Sequence, residues 1–168
     1  MTTSGALVVL GGLPGTGKST IARPLARALK AAYLRIDTIE QALVDSGELT
    51  ARPRVAGYVA GYALARDQLA NGVDVVVECV NPLRLTRDAW RAVGSRVLEV
   101  ELVCSDPREH RARVEGRTAD IPGLALPTWR DVVEREYEPW DRDHLVLDTA
   151  AASAAECVEL VLRHLGGS

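Results

Sequence analysis

The sequence contains no phenylalanine and only two lysines, Lys18 and Lys30. Alanine, arginine and valine abound instead, a bias of a GC-rich coding sequence that carries no functional meaning. Cysteine is sparse: Cys79, Cys104 and Cys157 are scattered, odd in number and free of any CxxC spacing. That excludes a disulfide framework and a cysteine-based zinc site, and it fits a reducing cytoplasm. Long apolar runs are missing as well; none reaches the roughly 18 residues a membrane span needs. The opening "MTTSGALVVLGG" lacks the basic n-region of a secretory signal. Excess positive charge is absent too. A net charge of −3 and a pI near 5.6 argue against a dedicated nucleic-acid binder. No internal repeat, low-complexity tract or linker divides the chain, so residues 1–168 read as a single domain. At this length folding buries about 70% of the chain's accessible surface, enough for a real core.

What is present is an alternation. Short apolar runs at 6–11, 32–36, 73–79, 96–103 and 144–148 are rich in valine and leucine with little alternation, as strands buried on both faces are. Helical patterns separate them at about 17–31, 52–70, 83–93, 106–117, 128–138 and 153–165. Strand, helix and strand in repetition predict a parallel α/β sheet with right-handed crossovers. Local signals mark the boundaries. Asn71-Gly72 is a turn, and Ser105-Asp106-Pro107 starts a helix. Ser153 and Glu156 have capping-box spacing, and Gly166 ends the last helix. Pro24 falls inside the first helix, where it removes a hydrogen bond and predicts a kink. Residues 118–128, "TADIPGLALPT", read as a loop.

The densest chemistry lies at Gly12-Leu13-Pro14-Gly15-Thr16-Gly17-Lys18-Ser19, an ungapped match to GxxxxGK[ST], followed by Thr20. A strand precedes it and a helix follows, the context that motif requires. Glycines allow successive backbone N–H groups to turn inward as an anion nest, and the helix N-terminus adds positive potential. Lys18 has the reach for β- and γ-phosphates, and the Ser19 hydroxyl suits Mg²⁺. A plain glycine turn explains neither the lysine nor the serine. The rival GxGxxG fingerprint of dinucleotide folds fails at Thr20, although Asp37 sits where a ribose-binding acid would.

From "GLPGTGKST" onward the chain resembles the small P-loop kinases of the nucleoside-monophosphate-kinase-like group. That group includes gluconate and shikimate kinases, chloramphenicol phosphotransferase and zeta toxins. The resemblance is strongest to kinase-like AAA-family ATPases of actinobacteria, although the long elements of AAA+ machines, including a second helical domain, are not seen. It implies a three-layer P-loop fold whose five-stranded parallel sheet has the order 2-3-1-4-5, with helices on both faces. It also implies a small arginine-bearing lid at about 113–128, ATP and Mg²⁺ as cofactors, and a small-molecule hydroxyl as acceptor.

Individual residues follow from the matched positions. Asp37, ending the second strand in "LRIDTIEQAL", would face the acceptor hydroxyl; the lesser alternative, compatible with it, is a cap for a helix beginning near Thr38. Glu40, one turn on, is a weaker acceptor-site candidate. Arg35 suits pairing with a neighbour. Glu78 stands where an aspartate usually helps hold Mg²⁺, and it serves either metal and substrate or a nearby arginine. Asp74, at the other end of that strand, reads as structural. In "ECVNPLRLTRDAW", Asn81, Arg84 and Arg87 are candidates for acceptor binding, with a solvated helix face as the alternative for the two arginines. Trp90 reads as core. Arg113 and Arg117 would neutralise charge on the transferred phosphoryl group, and Glu109 at i,i+4 is placed to hold Arg113 back. His110, His144 and His164 have no ligand spacing and receive no catalytic role. The charges of 134–143 suggest a solvated helix end, and "LDTA" at 147–150 is where related kinases approach adenine.

Two other functions fit the same motif. A polynucleotide 5′-hydroxyl kinase would share the loop and the aspartate but needs a basic groove for the strand. A nucleotide-binding switch that hydrolyses ATP slowly would need a protein partner and no acceptor pocket.

Overall fold

The chain's computed structural model describes residues 5–49 and 55–167. The doubly apolar runs form five short strands: β1 (Leu7–Gly11), β2 (Ala32–Arg35), β3 (Val75–Glu78), β4 (Val97–Val103) and β5 (Leu145–Asp148). All pair in parallel in the order β2-β3-β1-β4-β5, the predicted order. Side-chain alternation along β1 divides the core. Val8 and Leu10 pack with Ile21, Ala22 and Leu25 of α1 (Lys18–Leu29) and Val161 of α7 (Ala154–Gly166). Leu7 and Val9 face the other side, toward Leu69 of α3 (Ala56–Ala70) and Trp90 of α4 (Arg84–Arg91). Trp90 is fully buried and meets Tyr62 edge-on at 4.4 Å, so it is core as expected.

Boundary chemistry behaves largely as read. Asp106 accepts from the amides of Arg108 and Glu109 at the start of α5 (Pro107–Gly116), with Pro107 in the first turn. Ser153 and Glu156 form a reciprocal capping box on α7. Asp74 accepts from the Ala6 amide at 2.7 Å, far from the motif, a structural role. The α1 helix runs unbroken through the exposed Pro24. The stretch 52–54, expected to be helical, lies outside the described residues.

Three expectations need correction. Helix α2 (Ile36–Asp45) springs directly from β2, with Arg35 at its N-cap position. Asp37 therefore lies in the first turn and caps nothing; there its negative charge complements the helix dipole. The predicted helix at 128–138 is only α6 (Trp129–Val133), which starts in a Thr128–Asp131 capping box. Beyond it the chain runs irregularly, because Pro139 disfavours helix at Glu138 and backbone carbonyls there bind Arg87 instead.

Close packing of α2 on α3 depends on glycine. A Cβ at Gly57 would lie 2.3 Å from Glu40 Cγ, and one at Gly61 would lie 2.6 Å from Ile36 Cδ1. With Ala65 and Leu69 these residues form the buried stripe of α3. The result sets the first turn of α2 against the carboxyl ends of the strands, where ligands of open α/β sheets bind.

Candidate active site

The motif forms the turn between β1 and α1. Gly12, Gly15 and Gly17 all have positive φ, at 143°, 82° and 93°. Two have no room for a side chain: a Cβ would come within 2.4 Å of Leu102 O at Gly12 and 2.6 Å of Val114 Cγ2 at Gly15. The loop is buttressed from distant parts of the chain. His110 Nε2 donates to Pro14 O at 2.8 Å, and its ring stands edge-on to Trp129 at 5.0 Å. Thr149 Oγ1, just past β5, lies 2.9 Å from Thr16 O and 3.1 Å from Val103 O. Leu13, Pro14 and Thr16 thus belong to a braced cradle, with Thr20 exposed on its α1 side.

Lys18 Nζ donates to Gly12 O at 2.8 Å and Leu13 O at 2.9 Å. Burial lowers its pKa to about 8, and the nearby charges of Glu78 and Asp37 oppose that fall. Ser19 Oγ donates to Glu78 Oε1 at 2.6 Å. The other oxygen of Glu78 accepts from Tyr33 at 2.5 Å, and Arg35 Nε lies 3.0 Å from Oε1. Glu78 therefore pairs with an arginine, one of its two readings, and its Oε1 also accepts from the motif's hydroxyl. Burial and the bond to Glu78 push the Tyr33 hydroxyl's pKa upward, so Tyr33 stays a neutral donor. The neighbouring Cys79 thiol is pushed up to about 12 by burial and stays protonated.

These groups open into a cleft of about 1230 Å³, whose wall includes Lys18, Ser19, Asp37, Glu78, Arg113 and Arg117. Five sequence-selected side chains besides Lys18 therefore meet in one place. Arg113 is held at its edge: its guanidinium donates to Thr149 Oγ1 at 2.8 Å, Thr149 O at 2.9 Å and Glu109 Oε1 at 2.5 Å. Arg117, at the end of α5, makes no hydrogen bond or ion pair among the described residues. Glu40 also lines the cleft.

The three candidates after β3 do not reach the cleft wall. Asn81 is 1% exposed with φ 53° and packs against Gly11. Arg84 is an exposed side chain paired with Asp141 at 3.0 Å. Arg87 is fully buried, neither solvated nor free for an acceptor. It donates to the carbonyls of Asn81, Pro82, Glu138 and Pro139 and lies over the rings of Tyr137 and Trp140. It is a clamp between two loops.

Other contributors went unnoticed in the sequence. Asp120, in the loop between α5 and α6, accepts from Arg35 Nη1 at 2.8 Å and Nη2 at 3.1 Å, and from Arg23 Nη2 at 2.5 Å. The Arg35 and Arg23 bonds hold its carboxyl well below the usual carboxylate range. Gly123 of the same loop, at φ 81°, approaches Gln41 of α2, so the segment lies against α2. "TADIP" carries no signal beyond the single proline that marks it as loop.

A phosphate cradle at the head of a 2-3-1-4-5 parallel sheet, with a carboxylate beside its serine, defines a small P-loop kinase. More specifically, the chain belongs to the AAA-domain family, whose match covers residues 7–135. It is 28% identical to an adenylyl-sulfate kinase of Synechococcus sp., covering 98% of this chain and 97% of that one. A Chloroflexus aurantiacus adenylyl-sulfate kinase is 29% identical, over 98% of this chain and 90% of its own. Among solved structures, Mycobacterium tuberculosis APS kinase CysC, in complex with AMPPNP and APS, superposes with a TM-score of 0.74 at 24% identity, covering 98% and 99% of the two chains. A gluconokinase from Sinorhizobium meliloti gives 0.67 at 24% identity, with 99% and 94% covered. Among the described residues no helix is long and apolar enough to cross a membrane.

Proposed function

We propose that this protein transfers the γ-phosphoryl group of ATP to a hydroxyl of a small molecule in the reducing cytoplasm, with Asp37 handling the acceptor. One observation carries the reading. The hydroxyl of Ser19 and the carboxylates of Glu78 and Asp37 share a cleft with two arginines from the α5 side. Relatives named for adenylyl-sulfate and gluconate phosphorylation support the reaction class.

The donor set beside the cradle fits Mg²⁺, which takes one or two protein oxygens together with phosphates and water. Ser19 Oγ and Glu78 Oε1 would hold it, and the ion supplies charge neutralisation to the β- and γ-phosphate oxygens. The loop amides and Lys18 grip those phosphates, Lys18 leaving its two loop carbonyls to do so. Asp37 accepts the proton of the acceptor hydroxyl as the new O–P bond forms and the bond to ADP breaks. Arg113 and Arg117 stabilise charge on the transferring oxygens. Residues 113–128 serve as the lid that excludes water.

ATP turnover with pools of sugars, nucleosides, antibiotics and oligonucleotides tests the class. Asp37→Asn should lower acceptor phosphorylation about 10²–10⁴-fold while ATP affinity holds. If ATP affinity collapses and turnover per bound enzyme stays normal, Asp37 is a nucleotide ligand and its assigned role is wrong.

A further inference from the structure

Arg35 is fixed. It stands where β2 becomes α2, its side chain is 6% exposed, and its Nε faces Glu78 at 3.0 Å. That leaves the two terminal nitrogens as a fork, a geometry that matches a carboxylate or a phosphate. Asp120 fills the fork bidentately, and Arg23 of α1 donates to the same carboxylate, at the Oδ2 it shares with Arg35 Nη1. The partner is far less fixed than the fork. Asp120 belongs to an irregular loop, its side chain is 39% exposed, and Arg23 is 46% exposed. A buried cation thus faces an anion carried on a partly exposed, irregular loop.

We propose that Arg35 and Arg23 form the subsite for an anionic group on the phosphoryl acceptor, a place that Asp120 occupies until the acceptor arrives. The acceptor is then a small hydroxyl compound bearing a carboxylate or a phosphate. Its anionic group displaces the Asp120 carboxylate from both arginines, an exchange of like charge for like charge. The rest of the molecule extends along the first turn of α2 to Asp37, two residues from Arg35 and on the same cleft wall. Displacement also frees the loop that begins at Arg117, coupling acceptor arrival to movement of the lid. The acceptor's identity rests on the phosphotransfer reading, whereas the anion subsite does not.

Inorganic sulfate is the probe, titrated by calorimetry into protein saturated with ADP so that the phosphate cradle is already filled. Asp120→Asn should raise sulfate affinity about tenfold by removing the competing carboxylate. Asp120→Ser should do the same, which guards against a folding defect in either variant. Adding Arg23→Ala to each should remove most of the gain. Equal sulfate affinity in wild type and both variants, or a gain that survives Arg23→Ala, overturns the subsite. Turnover on glucose, gluconate and glucose 6-phosphate provides the second arm, separating neutral, carboxylate and phosphate forms of one scaffold. Sulfate gain with no turnover on these three or on the wider acceptor pools sinks the kinase reading and leaves the subsite standing. Turnover on glucose alone, with no sulfate gain, does the reverse.

Discussion

Replacing Arg87 with alanine should destabilise the protein without touching its chemistry. The side chain is fully buried and donates to four carbonyls. Their fates differ once it is gone. Glu138 and Pro139 lie on an exposed segment and regain water. Pro82 O keeps a second donor, the Glu138 amide at 2.8 Å. Asn81 O, in a buried residue, is left with neither, at a cost of about 1–3 kcal/mol. The emptied space beneath Tyr137 and Trp140, and the lost cation–π contacts, add about 2 kcal/mol. The expected total is about 3–5 kcal/mol, against a typical domain stability of about 5–15 kcal/mol. Urea unfolding followed by tryptophan fluorescence and by circular dichroism measures it. Arg87→Lys should recover less than half, since an ammonium has no fork to span two loops. ATP affinity of the folded variants should match wild type. Arg87→Ala with stability within about 1 kcal/mol of wild type but no acceptor turnover would refute the clamp and restore Arg87 as a substrate residue.

Arg117→Ala should lower turnover more than it weakens ADP binding, and ATP with acceptor should slow amide exchange across 113–128 more than ADP alone. Identical exchange in all states, with Arg117→Ala fully active, would make that segment an ordinary surface loop. Lys18→Met removes a group whose pKa falls from 10.5 in the unfolded chain to about 8 when folded. Below pH 8 both states hold the proton and the burial penalty is complete; between about 8 and 10.5 the unfolded state binds more protons, so stability rises with pH. Wild type should show that rise in thermal melts and Lys18→Met should not; identical pH profiles would contradict the burial assigned to Lys18. Gly61→Val should cost about 1–3 kcal/mol by overpacking, because its Cβ would meet Ile36 at 2.6 Å and Trp90 at 3.1 Å. Unchanged unfolding free energy there would mean that α3 is free to shift away from α2.

The phosphate cradle was legible because its chemistry sits in eight contiguous residues, and the strands because burial on both faces leaves valine and leucine little company. Longer-range pairings leave no such mark. Asp120 meets Arg35 across 85 residues and Arg23 across 97. His110 meets Pro14 across 96. Arg87 sits in a helix dense with charge and looks like surface from the sequence; its carbonyl partners at Glu138 and Pro139 are 51 and 52 residues away. Pro139 disfavours helix only at Glu138, so the end of α6 at Val133 has no local mark in the sequence. Glu78 was left between two roles because its neighbours, Ser19 and Arg35, come from two other elements that only the sheet order brings together.

The bracing of the cradle has a consequence during synthesis. Residues 11–19 leave the ribosome well before His110 and Thr149, which hold Pro14 O and Thr16 O. A nascent chain that ends before β5 contains the complete motif and lacks its last support. Nucleotide capture is therefore expected to appear late, once Thr149, just past β5, is in place. A Thr149→Val variant should bind ATP more weakly than wild type, so the affinity of the motif would report the arrival of a residue 133 positions further along the chain.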